Sequence, residues 1–186
     1  IRLGFRAAMI INFPCFVGLF FLAEKVAGLI YNAPGAAGAI QTMSAGILFL
    51  GMHQISTGVL QGLEHTAVPV INMILAGVVK VALSWWLTAL PELGVKGAAL
   101  ATDADFAVAA VLNMCFIYKY TGFCMTFGSV AKPLLSSGIM GGVIFVVLHF
   151  TESFGAWAIL FAMAAAVPTY GFSLLACGGL HQEDLE

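Results

Sequence analysis

The stretch Val68-Pro69-Val70-Ile71-Asn72-Met73-Ile74-Leu75-Ala76-Gly77-Val78-Val79-Lys80-Val81-Ala82-Leu83-Ser84-Trp85-Trp86-Leu87-Thr88-Ala89-Leu90 is apolar almost throughout and carries a single charge, at Lys80. A membrane-spanning helix needs roughly 20 such residues in a row. The run supplies them without the strict alternation of a half-buried strand. Further runs of the same kind flank it, and we read six spans: Ala7–Ile30, Ala36–Leu60, Val68–Leu90, Val95–Tyr118, Leu134–Phe150 and Phe154–Cys177. Hydrophobic residues make up 61% of the 186 positions, charged residues 9%, and the mean hydropathy is +1.03. Soluble domains carry about 25% charged residues, so a water-soluble globule is excluded. Lipid offers backbone groups no hydrogen bonds, which leaves helices or closed barrels, and continuous runs exclude the barrel. The expected fold is an all-α membrane protein with six transmembrane helices. It forms one transmembrane domain over residues 1–186, ending in an acidic tail at 178–186.

Six spans with short connections use nearly the whole chain and leave no room for a soluble catalytic domain. There is no Gly-rich phosphate loop, no HExxH, and no nucleophile with a base at a recognisable spacing. The expectation is therefore not an enzyme, with no cofactor and no metal. The four cysteines, Cys15, Cys115, Cys124 and Cys177, form no CxxC or metal-ligand spacing, and read as small hydrophobes. The basic residues are too sparse for a nucleic-acid surface. The chain opens Ile1-Arg2-Leu3, without an initiator Met, which fits a piece of a longer protein. Ala7–Ala23 runs on into further helices and is not a signal peptide.

The breaks between spans carry turn chemistry: Asn32-Ala33-Pro34-Gly35, Pro91-Glu92-Leu93-Gly94 and Thr121-Gly122. Lys132-Pro133 precedes the fifth span, with the proline near the first helical turn, where its missing N–H does no harm. Arg2, Arg6, Lys119 and Lys132 fall on one side of the membrane, against Lys96 and Lys25 on the other. By the positive-inside rule the amino end and the tail are cytoplasmic. Gly46, Gly51 and Gly58 punctuate the second span, Gly97 and Ala101 open the fourth, and Gly138, Gly141 and Gly142 mark the fifth. Such residues let helices approach closely in lipid; flexibility during a transport cycle is the alternative.

Lys80 is the most informative single residue. A Lys at the centre of a spanning helix costs roughly 2.5–3.5 kcal/mol on insertion scales. Asp103 and Asp105 lie in the fourth span at a broadly comparable depth, because a short turn makes the third and fourth spans antiparallel neighbours. Two readings stand. Lys80 pairs with one aspartate as a structural staple, or these residues line an aqueous cavity for an anionic substrate or a coupling ion. Asp103 and Asp105 differ by about 200° around a helix, so they do not share one partner. His53 and Gln54 interrupt the second span; they are expected to hydrogen-bond between helices, or to join Lys80, Asp103 and Asp105 as candidates for lining a substrate or ion cavity. Glu24-Lys25, Glu64-His65, His149 and Glu152 read as interfacial, and Trp85-Trp86 as part of an aromatic belt.

Gly58-Val59-Leu60-Gln61-Gly62-Leu63-Glu64-His65-Thr66-Ala67-Val68-Pro69-Val70-Ile71-Asn72, followed by Gly77-Val78-Val79-Lys80, resembles a known pattern. A Pro-x-x-Gly-x-Lys-Gly-Ala-Ala turn follows, here Pro91, Gly94, Lys96, Gly97, Ala98 and Ala99. Lys132-Pro133-Leu134 before Met140-Gly141 and the tail Glu183-Asp184-Leu185 extend the likeness. Together they resemble the carboxy-terminal part of the polysaccharide transporter family, in its stage V sporulation protein B branch. That superfamily also holds multidrug and toxin extrusion transporters and lipid II flippases. The resemblance implies the last six helices of a protein with about a dozen to fourteen helices in two lobes around a central cavity, the amino-terminal lobe being missing here. It implies a multi-pass protein of the bacterial cytoplasmic membrane, a flippase for a lipid-linked oligosaccharide or cell-wall precursor, with a link to sporulation. Its partners would be the lipid bilayer and an anionic lipid-linked sugar whose headgroup suits Lys80. Asp103 and Asp105 depart from the family pattern, which has small or hydroxyl residues there. A cation-coupled multidrug exporter is the alternative, since it favours intramembrane carboxylates over a Lys.

Overall fold

A computed structural model of the chain describes residues 1–125, 127–151, 154–155 and 157–178, with 127–129 described for the backbone only. Six helices order the chain: α1 Arg2–Leu29, α2 Ala37–Gly62, α3 Ala67–Thr88, α4 Gly94–Thr121, α5 Phe127–Phe150 and α6 Trp157–Ala176. All six are long and apolar enough to cross a membrane, and the described residues contain no strand. Glu152 and most of the acidic tail lie outside the described residues.

The helices end where the backbone is forced to change. After α1 the chain turns through Asn32 in the left-handed region, φ 49°, and Pro34 starts a short 3-10 turn that leads into α2. α4 closes on Gly122 at φ 68°, whose N–H bonds back to the carbonyl of Tyr118. A residue without Cβ takes that conformation freely. The start of α5 differs from the sequence reading. It begins at Phe127, not Leu134, and Pro133 lies inside the helix. A proline ends helices reliably only in water; in a spanning helix, neighbouring groups satisfy the carbonyl it frees.

Pro14 in α1 shows how that is done. With no N–H it leaves the carbonyl four residues earlier, that of Ile10, without its helical partner. The Tyr170 hydroxyl of α6 donates to that oxygen at 2.6 Å, so the proline is tolerated because α6 lies against α1.

The helices do not pack in chain order. α2 lies between α1 and α4 and packs extensively on both; α3 packs on the far side of α4 and hardly meets α2; α5 packs on α6 and α1. The sequence across the bundle is therefore α3, α4, α2, α1, then α5 with α6. One apolar core, Val17, Leu22, Met140, Ile144, Ala162 and Ala166, fills the α1–α5–α6 side. A second, Phe5, Leu60 and Ile117, closes the end of the bundle where α1 begins and α2 and α4 finish. At that same end His65 stacks on Tyr120 at 4.0 Å, Phe5 stacks on Phe123 at 5.6 Å, and Lys132 Nζ donates to the carbonyl of Gly178 at 2.8 Å. Arg2, Arg6, Lys119 and Lys132 are thus gathered at one end.

The glycines divide into two groups. A Cβ on Gly97 would come within 2.6 Å of the Leu87 carbonyl oxygen, and one on Gly141 within 2.8 Å of Val17 and Phe21. One on Gly51 would overlap the Asn12 side chain. These are places of close helix approach. Gly58, Gly138 and Gly142 have open space instead.

Candidate functional site

Lys80, Asp105, His53, Asn72 and Asn113 come together on the α2–α4–α3 seam. Lys80 of α3 reaches Asp105 of α4, with Nζ 3.7 Å from Oδ2. The Lys80 side chain is 40% exposed and that of Asp105 17%, so the pair lies on the flank of the seam and is not sealed within it. Lys80 is eight residues from the end of its helix at Thr88, about 12 Å along the axis. That places the ammonium well inside the span and not at its rim.

Below this pair a second set of polar groups ties the three helices together. Asn72 of α3 donates from Nδ2 to Asn113 Oδ1 at 2.9 Å, both side chains being buried. Asn113 Nδ2 lies 3.2 Å from Ser56 Oγ, 3.1 Å from Thr57 Oγ1 and 3.4 Å from His53 Nδ1. Its two protons are offered to three acceptors, and His53 accepts only when its proton is on Nε2. α2 and α3 hardly meet within the span, and the amide of Asn113, carried on the helix between them, bonds to side chains of both. Two polar groupings thus lie along the seam, Lys80 with Asp105 and Asn113 with Asn72, Ser56, Thr57 and His53.

Asp103 is elsewhere. Two residues from Asp105 and some 200° around the helix, it faces α2 at Gly46 and is 9% exposed. Its carboxylate fills the space a side chain at position 46 would occupy. Oδ1 is buried and has no hydrogen-bond partner among the described residues. Lys96, two turns earlier on the same helix, lies against Gly38 and shares a cavity of about 410 Å³ with Asp103, Gln41 and Thr42.

Of the residues singled out in the sequence, Lys80, Asp105 and His53 are brought to one seam. Asp103 is turned to the opposite face of its helix. Gln54 is exposed and joins neither group; as the neighbour of His53 it points about 100° away. Asn113 and its hydroxyl partners Ser56 and Thr57 were not singled out, and Asn72 only as part of a motif. The available signal was an amide in an otherwise apolar run, which in lipid needs a partner on another helix. Among the described residues no group of three or more His, Cys, Asp or Glu is placed to hold a metal ion. The four cysteines are free and exposed.

No protein-family profile matches the chain. It is similar to a Bacillus subtilis protein named "Uncharacterized membrane protein YabM", with 29% identity over 178 residues, covering 94% of this chain and 32% of that protein. It is also similar to Stage V sporulation protein B of the same organism, with 29% identity over 101 residues, covering 54% of this chain and 20% of that protein. The chain thus spans about a third of the length of the first relative and a fifth of the second.

Proposed function

We infer that this chain is part of a transporter of the bacterial cytoplasmic membrane that moves a lipid-linked oligosaccharide or cell-wall precursor across the bilayer by alternating access. The observation that carries this reading is the Lys80–Asp105 pair, deep within two apolar helices yet open on one flank. A charge kept inside a span marks a substrate or ion path by default. Lys80 presents a compact cation to the phosphate of a lipid carrier, and Asp105 holds it when no substrate is bound. Exchanging one anionic partner for another leaves the ammonium paired throughout, which lowers the cost of moving it between states. The similarity to Stage V sporulation protein B supports sporulation as the setting. The work is translocation rather than bond chemistry, and the bilayer and the remainder of a longer two-lobed protein are its partners. The basic end of the bundle faces the cytoplasm.

The test uses the whole gene product that contains this chain, reconstituted in vesicles with a fluorescent undecaprenyl-pyrophosphate-linked sugar whose outward exposure is read by quenching. Lys80→Met is expected to slow flipping by roughly tenfold or more, equivalent to about 1.4 kcal/mol of lost substrate interaction, while the protein still inserts and accumulates. Unchanged flipping in that variant sinks the reading. Asp103, whose Oδ1 has no hydrogen-bond partner among the described residues, favours a second reading, a cation-coupled multidrug exporter. Export of a cationic dye by the same vesicles, with the lipid-linked sugar left unflipped, would establish that one instead.

A further inference from the structure

We propose that Asp103 is a proton-binding site, separate from the Lys80–Asp105 pair and reached through the cavity between α1, α2 and α4. The site is built from three observations. Asp103 is 9% exposed, and its Oδ1 is buried without a donor among the described residues. Gly46 leaves on α2 the volume that the carboxyl occupies. Two cavities meet at the carboxyl. One of about 410 Å³ is lined by Phe16, Phe20, Gln41, Thr42 and Lys96, and one of about 340 Å³ on the other side of α2 is largely apolar, with Tyr31 at its edge.

An ionised carboxylate without a donor is expensive in such surroundings, and the neutral acid is not. The Thr42 hydroxyl offers no relief, since its proton goes to the carbonyl of Gly38. The titratable groups facing Asp103 are few. α4 itself contributes Lys96, and the turn after α1 contributes Tyr31. Glu24 and Lys25 of α1 line an adjoining cavity that shares Phe20 and Gln41. α2 contributes no titratable group to either cavity, and Lys80 of α3 is engaged with Asp105 on the far face of α4. The donor set suits a proton rather than a metal ion. A hard cation such as calcium takes six or more oxygens, whereas this cavity offers one carboxylate, one amide and one hydroxyl beside the ammonium of Lys96. The step is a single protonation: the carboxylate takes one proton to become the neutral acid, and no other bond changes.

This site rests on the transporter reading only for what the proton accomplishes, not for whether it binds. The experiment is infrared difference spectroscopy on the whole protein in vesicles as the pH is lowered. A protonated-carboxyl band at the high frequency of an acid without a hydrogen bond, apart from the bands of the exposed carboxyls, is expected in the parent and in Asp105→Asn, and is expected to be lost in Asp103→Asn, whose amide mimics the neutral acid in size. Survival of the band in Asp103→Asn overturns the proposal. So does its loss on adding sodium at constant pH, which would make the site a metal-cation site. Should Asp103→Asn fail to accumulate, Gly46→Ala presses a methyl onto the carboxyl and is expected to move the pH at which the band appears. An unmoved band then overturns the proposal. Lys80→Met is expected to keep the band, so loss of flipping and loss of the proton site are read separately.

Discussion

Helices α2, α3 and α4 meet through Asn113, Gly46 and Gly97, whereas α1, α5 and α6 meet through Val17, Leu22, Met140, Ile144, Ala162 and Ala166. Lipid tails are as apolar as leucine, so neither region is held by a hydrophobic drive between helices. Close van der Waals contact and interhelical hydrogen bonds do that work. In the first region backbones approach at glycines, and polar groups select the partner. In the second, complementary apolar shapes fill the seam, and a polar link from α6 to α1 repairs a proline. A polar seam can exchange one partner for another, and an apolar seam has no such alternative. The residues proposed to handle substrate and proton lie in the first region, on either face of α4, with the second as its support.

The largest effect that would break this contrast is steric. At Gly97 a Cβ would meet the carbonyl of Leu87, a backbone group that cannot rotate away. Gly97→Ala is therefore expected to destabilise the bundle by about 3 kcal/mol, the upper part of the overpacking range. Gly138 of α5 has nothing within 4 Å of the same position, and Gly138→Ala should change stability by less than about 0.5 kcal/mol or raise it. Unfolding in mixed micelles reads both. Equal losses at the two sites would erase the distinction between close-approach and lipid-facing glycines.

Next comes Asn113→Leu. Interhelical hydrogen bonds in membranes average about 0.6 kcal/mol and reach about 1.7. Asn113 is in contact with four side chains at once, so a loss of about 2 kcal/mol is expected in the same assay. Because α2 and α3 hardly touch otherwise, the loss should loosen α3 in particular. Cysteine cross-links between α2 and α3 would then form less specifically, while α5–α6 cross-links stay unchanged. A loss below about 0.5 kcal/mol would mean that the network is incidental.

The contrast also explains which parts were legible in the sequence. Length and hydropathy are local properties, and the six apolar runs translated into six helices. Asn32, Pro34 and Gly122 marked ends because each restricts or frees the backbone where it stands. Pro133 misled, because its rule as a boundary assumes water, and the helix runs seven residues beyond the expected start. The 200° between Asp103 and Asp105 is also local, and the two carboxylates face different neighbours, Gly46 and Lys80. Which helix each would face was not readable, since α2, which receives Asp103, is separated from α4 along the chain by the whole of α3. Asn113 was missed for the same reason: its partner Asn72 is 41 residues away, and nothing around either residue names the other. His53 and Gln54 looked equivalent as neighbours, until the packing of α2 on α4 chose one.

The Tyr170 hydroxyl tests the apolar region. Removing it in Tyr170→Phe leaves the Ile10 carbonyl unpaired in lipid, which is expected to cost about 1–2 kcal/mol. Pro14→Ala restores a helical N–H to that carbonyl, so in its background the Tyr170→Phe loss should fall to a few tenths of a kcal/mol. A loss that is the same with and without Pro14 would mean that the hydroxyl does not act through the freed carbonyl.

The smallest stability effect is expected at the residue with the largest proposed consequence for transport. Lys80 and Asp105 stand 3.7 Å apart, with the Lys80 side chain 40% exposed, so the pair is neither short nor sealed. Pairs open to water couple by about 0.2–1 kcal/mol, and a pair that lines an aqueous substrate path belongs in that range. A double-mutant cycle with Lys80→Met and Asp105→Asn should therefore return less than about 1 kcal/mol. A structural staple makes the opposite demand: removing one partner strands the other, and breaking a buried pair costs about 3–5 kcal/mol. Coupling of that size would assign the pair to holding α3 on α4. Weak coupling together with lost flipping would mean that the ammonium is kept inside the span for a ligand, because so small a contribution to folding does not offset the cost of placing it there.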